Sequence, residues 1–127
     1  MSSAFILQKK ITRTIIFRQG KPPFRPGINF TVRRGDEWKQ ANIGEYVHVE
    51  HWDGYAEITK LYNCRLGEIP QEVLQNNHDP VCNTVEGEIK MYRKIYPDLA
   101  KASDLEIKNL VVTCIGFYLY PGTMLKE

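Results

Sequence analysis

Alternation of hydrophobic and polar residues predicts four β-strands in the first half of the chain, over residues 11–17, 28–34, 45–51 and 55–63. Between the first two strands, residues 19–27 read QGKPPFRPG. Three prolines and two glycines in this stretch predict a loop, because proline removes a backbone donor and glycine favours turns. Asp53-Gly54 lies between the third and fourth runs and predicts a β-hairpin there.

In the second half of the chain, the spacing of apolar residues changes from the alternation of strands to the period of a helix. Pro70 suits the first turn of a short helix over 70–75. A second helix is predicted over 84–95, opened by a variant of the capping box formed by Asn83 and Glu86 and ended by Pro97. Its apolar face consists of Val85, Ile89, Tyr92 and Tyr96, and its charged residues Glu86, Glu88, Lys90 and Lys94 are predicted to form a solvated face.

The last strand is predicted over residues 109–119, NLVVTCIGFYL, which are apolar on both faces and therefore suit the middle of a sheet. These elements predict an α+β fold: a small β-barrel of about five to six strands, closed or half-closed, with two helices inserted before the last strand. The chain of 127 residues is interpreted as one domain, 1–127, with loose ends at 1–10 and 120–127.

The charge composition limits how the protein could bind a polyanion such as a nucleic acid. The chain has 17 basic and 15 acidic residues, so a polyanion would have to bind a local basic patch rather than the whole surface. Such a patch is suggested by residues 1–34, which contain no acidic residue and eight basic ones: Lys9, Lys10, Arg13, Arg18, Lys21, Arg25, Arg33 and Arg34. The alternative is that these side chains scatter over different faces.

Three cysteines, Cys64, Cys82 and Cys114, lack the close spacing of a zinc site and are expected to be free thiols in a reducing cytoplasm. No signal peptide or membrane-spanning run is apparent, and we expect neither a metal nor another cofactor.

A set of short motifs occurs in order along the chain. They are Phe30-Thr31-Val32-Arg33, Ile43-Gly44-Glu45-Tyr46-Val47, Gly54-Tyr55-Ala56-Glu57-Ile58, LQNNHD at 74–79, Tyr96-Pro97 and the apolar last strand. Together they resemble the ASCH domain, a branch of the PUA-like β-barrel superfamily, over most of residues 11–119.

The resemblance implies binding of RNA or of modified nucleosides. Some small ASCH proteins are amidohydrolases that remove the acyl group of N4-acetylcytidine, using a lysine three residues before the threonine and a glutamate from the helical insert. Here Thr31 and Arg33 match the pattern, Ile28 stands at the lysine position and Glu45 replaces the usual aspartate. The acidic position of the insert falls near Val81, and Asp79 is the nearest carboxylate.

These residues define a candidate site. Thr31 and Arg33 are predicted to face a cleft, where Arg33 would hold a phosphate or a base carbonyl. Alternatively, they are strand residues on a solvated face. If the protein is an enzyme, Thr31 and Asp79 are the candidate catalytic residues, although His78-Asp79 also suits a polar turn.

Further ligand contacts are predicted from Arg34, from Lys21 and Arg25 in the proline-rich loop, and from the rings of Phe24 and Trp52. Lys21 or Arg25 could also supply the cation missing at Ile28. In the alternative interpretation Phe24 plugs the end of the barrel and Trp52, like Trp38 and Tyr55, belongs to the core.

The leading hypothesis is therefore an ASCH-like domain that binds RNA or a modified nucleoside in a basic cleft. The alternatives are an amidohydrolase acting on acylated cytidine and a protein-interaction module.

Overall fold

The computed structural model describes residues 11–17, 24, 27–35, 37–52 and 54–121. Over these ranges the chain is α+β, as predicted, with five strands and three α-helices. The strands are β1 (Ile11–Ile15), β2 (Gly27–Arg34), β3 (Tyr46–Val49), β4 (Gly54–Arg65) and β5 (Val111–Pro121), and the helices are α1 (Gln71–Gln75), α2 (Val85–Ile95) and α3 (Asp104–Lys108).

The five strands form one mixed sheet in the order β1-β3-β4-β5-β2. β1 pairs parallel with β3, whereas the other neighbours are antiparallel. β1 and β2 are the two edges and do not pair with each other in the described residues, so the predicted barrel is here an open sheet. β5 lies between β4 and β2, in the interior position that its two apolar faces predicted.

The two faces of the sheet carry separate hydrophobic clusters. On the helix face, Phe30 and Val32 of β2 pack with Val112 and Cys114 of β5 beneath the helices, which contribute Val73, Leu74, Ile89, Tyr92 and Ile107. On the opposite side, which we call the inner face, Ile115 and Phe117 of β5 pack with Ile15, Phe17, Trp38, Val47, Val49, Ala56, Ile58 and Leu119. Successive residues of a strand alternate between these faces.

Both predicted helices are present, and a third, α3, follows them. α2 begins one residue later than predicted: its cap is Thr84 rather than Asn83, and the Thr84 hydroxyl accepts a hydrogen bond of 3.0 Å from the Gly87 N–H. The helix ends at Ile95, ahead of Tyr96-Pro97, because the residue before a proline disfavours the helical region.

The predicted hairpin joins β3 to β4 with Val47 opposite Ala56. β3 ends at Val49, two residues earlier than predicted, and His51 takes a positive φ of 70°. The turn therefore precedes Gly54, which is already the first residue of β4, while Asp53 lies outside the described residues.

Two further predictions concern the chain end and the cysteines. Tyr120 and Pro121 belong to β5 and were wrongly assigned to a loose end, whereas residues 1–10 and 122–127 lie outside the described ranges. The three cysteines are free thiols, as predicted. Within the described ranges, no helix has the length and apolar character needed to cross a membrane.

Candidate ligand-binding site

Thr31 and Arg33, the central residues of the predicted site, lie in β2 on the inner face of the sheet. Thr31 pairs with Ile115 of β5, whose side chain belongs to the inner cluster, whereas Phe30 and Val32 belong to the helix-face cluster. Thr31 is 3% exposed and Arg33 is half-buried. The two side chains thus share one face, as the sequence predicted, and the arginine lies nearer to solvent.

Arg33 is held where β2 approaches the end of β1. Its Nη1 donates a hydrogen bond of 2.7 Å to the Ile16 carbonyl oxygen. Its guanidinium carbon lies 4.8 Å from the centroid of the Phe17 ring, a cation–π distance. The guanidinium is therefore positioned over an aromatic surface rather than projecting freely from the strand.

The outer edge of β2 is covered by the segment that follows α1. The Phe30 N–H donates to the Asn76 carbonyl at 2.8 Å, and the His78 N–H donates to the Phe30 carbonyl at 2.9 Å. This parallel bridge pairs Phe30 with Asn77 and so places Asn77 on the helix face. His78, the next residue, reaches the inner cluster, where its ring centroid lies 4.6 Å from that of Phe17.

Five rings form an aromatic cluster around Phe24. The centroid of Phe24 lies 5.1 Å from Phe17, 5.9 Å from His78, and 6.3 Å from both Trp52 and Phe117. Trp52 is anchored because its Nε1 donates a hydrogen bond of 2.8 Å to the Tyr120 carbonyl. Phe24, Trp52 and His78 are half-buried, so the cluster combines a buried base with a partly accessible rim.

From the predicted set, the structure therefore brings together Phe24 and Trp52, links Arg33 to them through Phe17, and places Thr31 on the same face as Arg33. Arg34 lies apart from them on the opposite face of β2, where it forms a bidentate ion pair of 2.9 and 2.7 Å with Asp98 and lies 5.0 Å from the Tyr96 ring. Lys21 and Arg25 lie outside the described residues, so their contribution stays a prediction.

The basic residues of the N-terminal third that the structure describes have different partners. Arg13 pairs with Glu45 at 2.7 Å and lies 5.8 Å from the Trp38 ring, whereas Arg33 contacts Phe17 and Arg34 pairs with Asp98. The three described arginines of residues 1–34 thus have three different sets of contacts, and the basic patch stays a prediction. Trp38 and Tyr55 are buried.

Asp79 caps a short turn. Its carboxylate accepts a hydrogen bond of 3.0 Å from the Val81 N–H, and its own N–H donates to the Asn77 side-chain oxygen at 2.9 Å. This is the turn geometry expected of aspartate before proline. A catalytic role for Asp79 stays a prediction.

The sequence interpretation missed Glu88, which it assigned to the solvated face of α2. The structure corrects this assignment: Glu88 is 2% exposed, and its Oε1 accepts a hydrogen bond of 2.9 Å from Asn77 Nδ2. Burial raises the pKa of this carboxyl to about 8, although the Cys82 thiol, Asn77 and Arg33 oppose the shift and Asp79 adds to it.

The angular position of Glu88 on the helix indicates that its side chain could be buried. At about 100° per residue, Glu88 lies roughly 70° from the centre of the apolar stripe on α2, whereas Lys90 and Lys94 lie roughly 130–170° away. A carboxyl at the border of a buried stripe, with an asparagine and an aspartate nearby in the chain, is a candidate buried acid.

His78 is the second group with a strongly shifted pKa. Burial lowers the pKa of its imidazole to about 4, the Phe30 carbonyl raises it, and the positive charge of Arg33 lowers it further. The ring is therefore neutral at physiological pH. Among the described residues, no group of three or more His, Cys, Asp or Glu side chains is arranged to hold a metal ion.

No protein-family model and no curated protein matches the chain. Among solved structures, the chain is similar to the crystal structure of an ASCH domain from Lactobacillus crispatus JV V101. The two share 12% sequence identity with a TM-score of 0.57, and the alignment covers 94% of this chain and 86% of that chain. The structural similarity confirms the fold indicated by the order of the sequence motifs: the chain has an ASCH-like fold.

Proposed function

We propose that this domain binds RNA or a modified nucleoside at the inner-face site formed by Thr31, Arg33 and the aromatic cluster. The observation that supports this most directly is the half-buried Arg33 guanidinium lying 4.8 Å from Phe17, at the edge of a cluster in which Phe24, Trp52 and His78 are half-buried. A cation beside exposed parts of aromatic rings is a combination by which proteins bind single-stranded nucleic acids: the cation contacts phosphates or base carbonyls, and bases stack on the rings.

The chemistry of each group fits this role. A guanidinium offers several donors in a planar fork that suits a phosphate or a base carbonyl. The Thr31 hydroxyl, on the same face, can donate or accept one hydrogen bond. The motif resemblance to the ASCH domain implies the same class of ligand.

Replacing Arg33 with glutamine is expected to weaken binding of a short single-stranded RNA by about tenfold and to reduce the salt dependence of binding by about one phosphate contact. Fluorescence anisotropy at several salt concentrations measures both quantities. Arg34→Gln is the matched control, because Arg34 is adjacent in sequence but lies on the other face and pairs with Asp98.

Equal losses in both arginine variants would contradict the assignment of the site to the inner face. Failure of the unmodified protein to bind RNA or any of a panel of modified nucleosides would leave the protein-interaction module as the remaining hypothesis.

An amidohydrolase acting on acylated cytidine is a second candidate, favoured by the raised pKa of Glu88. A carboxyl that titrates near neutral pH can both donate and accept a proton, as general acid–base catalysis requires. In this alternative Glu88 is a better candidate for the acid of the helical insert than Asp79, whose carboxylate caps a turn. Against it, Ile28 at the lysine position is 45% exposed, pairs with Tyr118 and offers no proton acceptor beside Thr31.

Mass spectrometry of N4-acetylcytidine incubated with the protein tests this candidate. If the protein is a hydrolase, it releases cytidine and acetate, and Thr31→Val and Glu88→Gln each lower the rate by at least about a hundredfold. Glu86→Gln, an exposed change on the same helix, should leave the rate unchanged. Absence of cytidine formation by the unmodified protein would exclude this reaction and leave the binding proposal intact.

A further inference from the structure

The tautomer of His78 is set by its contact with β2. Its Nδ1 lies 3.1 Å from the Phe30 carbonyl oxygen, which also accepts the His78 backbone N–H. A carbonyl oxygen has no proton to give, so Nδ1 carries the hydrogen of this bond. In a neutral imidazole the other nitrogen, Nε2, is then a bare acceptor.

The surroundings keep the ring neutral. Phe17 and Phe24 pack against it with centroid distances of 4.6 and 5.9 Å, which removes water that would stabilise a charged imidazolium. Of the two charged groups that affect it, Arg33 disfavours protonation and Asp79 favours it. Burial dominates and holds the pKa at about 4, so the ring presents the same acceptor across the physiological range.

The ring nitrogen Nε2 accepts no hydrogen bond from the described residues, and the side chain is half-buried rather than enclosed. His78 and Arg33 both contact the ring of Phe17, so they belong to the same small region. The region around Phe17 therefore has a hydrogen-bond acceptor on one side, Nε2 of His78, and hydrogen-bond donors on the other, the guanidinium N–H groups of Arg33.

We propose that His78 is a specificity-determining residue that selects cytosine or adenine, which carry an amino group where uracil carries its O4 carbonyl, over uracil. This inference rests on the proposed function, because it requires a base at the inner-face site. The amino group of cytosine donates to Nε2, while a carbonyl or ring nitrogen of the same base accepts from Arg33. Uracil places a carbonyl oxygen where cytosine has the amino group, so two acceptors face each other.

The energetic cost of leaving a polar atom unpaired favours discrimination between these bases and uracil. A site built to hydrogen-bond one group rejects an analogue that leaves a desolvated polar atom unpaired more strongly than it would reject a small change in apolar shape. Loss of one such hydrogen bond, together with repulsion between two acceptors, corresponds to roughly a tenfold difference in affinity.

Fluorescence anisotropy at pH 7.5 with eight-nucleotide oligocytidylate, oligoadenylate and oligouridylate tests the proposal. We expect binding of the cytidine and adenosine oligomers about tenfold tighter than that of the uridine oligomer. His78→Leu should reduce this ratio to within about threefold while binding of the uridine oligomer is retained. The exposed change His48→Leu is the control and should keep the full ratio.

The outcomes separate this inference from the proposed function. Tight binding of all three oligomers without preference, or a preference that persists in His78→Leu, overturns the role of His78 but keeps the binding site. Absence of binding to all three overturns the binding of RNA itself, and with it this inference.

A second measurement does not depend on the stability of the variant. Long-range ¹H–¹⁵N correlation spectra of the unmodified protein at pH 7 should show His78 as the tautomer protonated at Nδ1, with the exposed His48 and His51 as internal references. A ring protonated at Nε2, or at both nitrogens, would overturn the proposal.

Discussion

Replacing Gly87 with alanine should destabilise the protein by about 2–4 kcal/mol, although the same change in an ordinary helix interior stabilises by roughly 1 kcal/mol. Gly87 lies in the first turn of α2, against the short turn formed by Pro80–Cys82. A Cβ atom added to it would lie 1.8 Å from the Val81 carbonyl oxygen and 3.0 Å from the carbonyl carbon. Because these are backbone atoms, no change of rotamer can relieve the overlap, and the turn itself must move.

The displacement would affect more than local packing. The Gly87 N–H is the donor to the Thr84 cap, and the next residue, Glu88, is held by Asn77. Movement of the turn would therefore weaken both the start of α2 and the buried carboxyl that follows it. This coupling is the reason to expect a loss larger than that of a single cap.

Urea unfolding at pH 6 measures the effect. Lys90→Gly, at an exposed position of the same helix, gives the helix-propensity term alone and should cost about 1 kcal/mol. Thermal unfolding should show Gly87→Ala melting roughly 6 °C or more below the unmodified protein. An alanine variant as stable as the original would mean that α2 and the turn do not approach as closely as described.

The close approach of Gly87 to Val81 separates two kinds of feature: the helix, which the sequence predicts, and the contact that the helix makes, which it does not. The periodicity of Val85, Ile89 and Tyr92 predicted α2 and its buried face, since helical patterns are local. The identity of the atom facing Gly87 depends on how the chain returns from α1, which no local pattern encodes. A glycine in the first turn of a helix is consistent with a close neighbour but does not identify the neighbouring atom.

Some features of the candidate site also followed from local sequence patterns, whereas others depend on contacts between distant parts of the chain. Alternation along β2 correctly predicted that Thr31 and Arg33 share a face. The same alternation places Arg34 on the opposite face, where it pairs with Asp98, so its prediction as a ligand contact beside Arg33 does not follow from the strand pattern. His78 reaches the site because residues 76–78 bridge the edge of β2, a contact over nearly fifty residues that the sequence alone did not reveal.

The stability of the unmodified protein should fall between about pH 6.5 and pH 8, and Glu88→Gln should abolish this fall. Burial raises the pKa of Glu88 from an ordinary value of 4.5 to about 8, so the folded state holds a proton that the unfolded chain has already released. The corresponding stabilisation is complete below the unfolded pKa and is lost as pH rises through the folded pKa. Its slope is at most about 1.4 kcal/mol per pH unit.

His78 opposes this trend in part of the range. Its pKa is lowered from an ordinary 6.5 to about 4, mainly by burial, so its contribution is present above pH 6.5 and is lost as pH falls towards 4. Between about pH 4.5 and 6.5 the two slopes have opposite signs and largely cancel. Above pH 6.5 the Glu88 slope dominates, and the expected net loss by pH 8 is roughly 1–2 kcal/mol.

The glutamine variant separates the two contributions. Its amide keeps an oxygen for Asn77 Nδ2 and carries no titrating proton, so the slope above pH 6.5 disappears and the rising slope of His78 below pH 6.5 becomes visible. Urea unfolding at half-unit intervals from pH 4.5 to 8 measures the profile, and Glu86→Gln, exposed on the same helix, should reproduce the profile of the unmodified protein. A profile for Glu88→Gln that still falls above pH 6.5 would assign the lost proton to another group. Cys82 and Cys114 also keep their protons in the folded state because burial raises their pKa values, but the loss of stability that they cause begins only near the ordinary thiol pKa of 9.0, above this range.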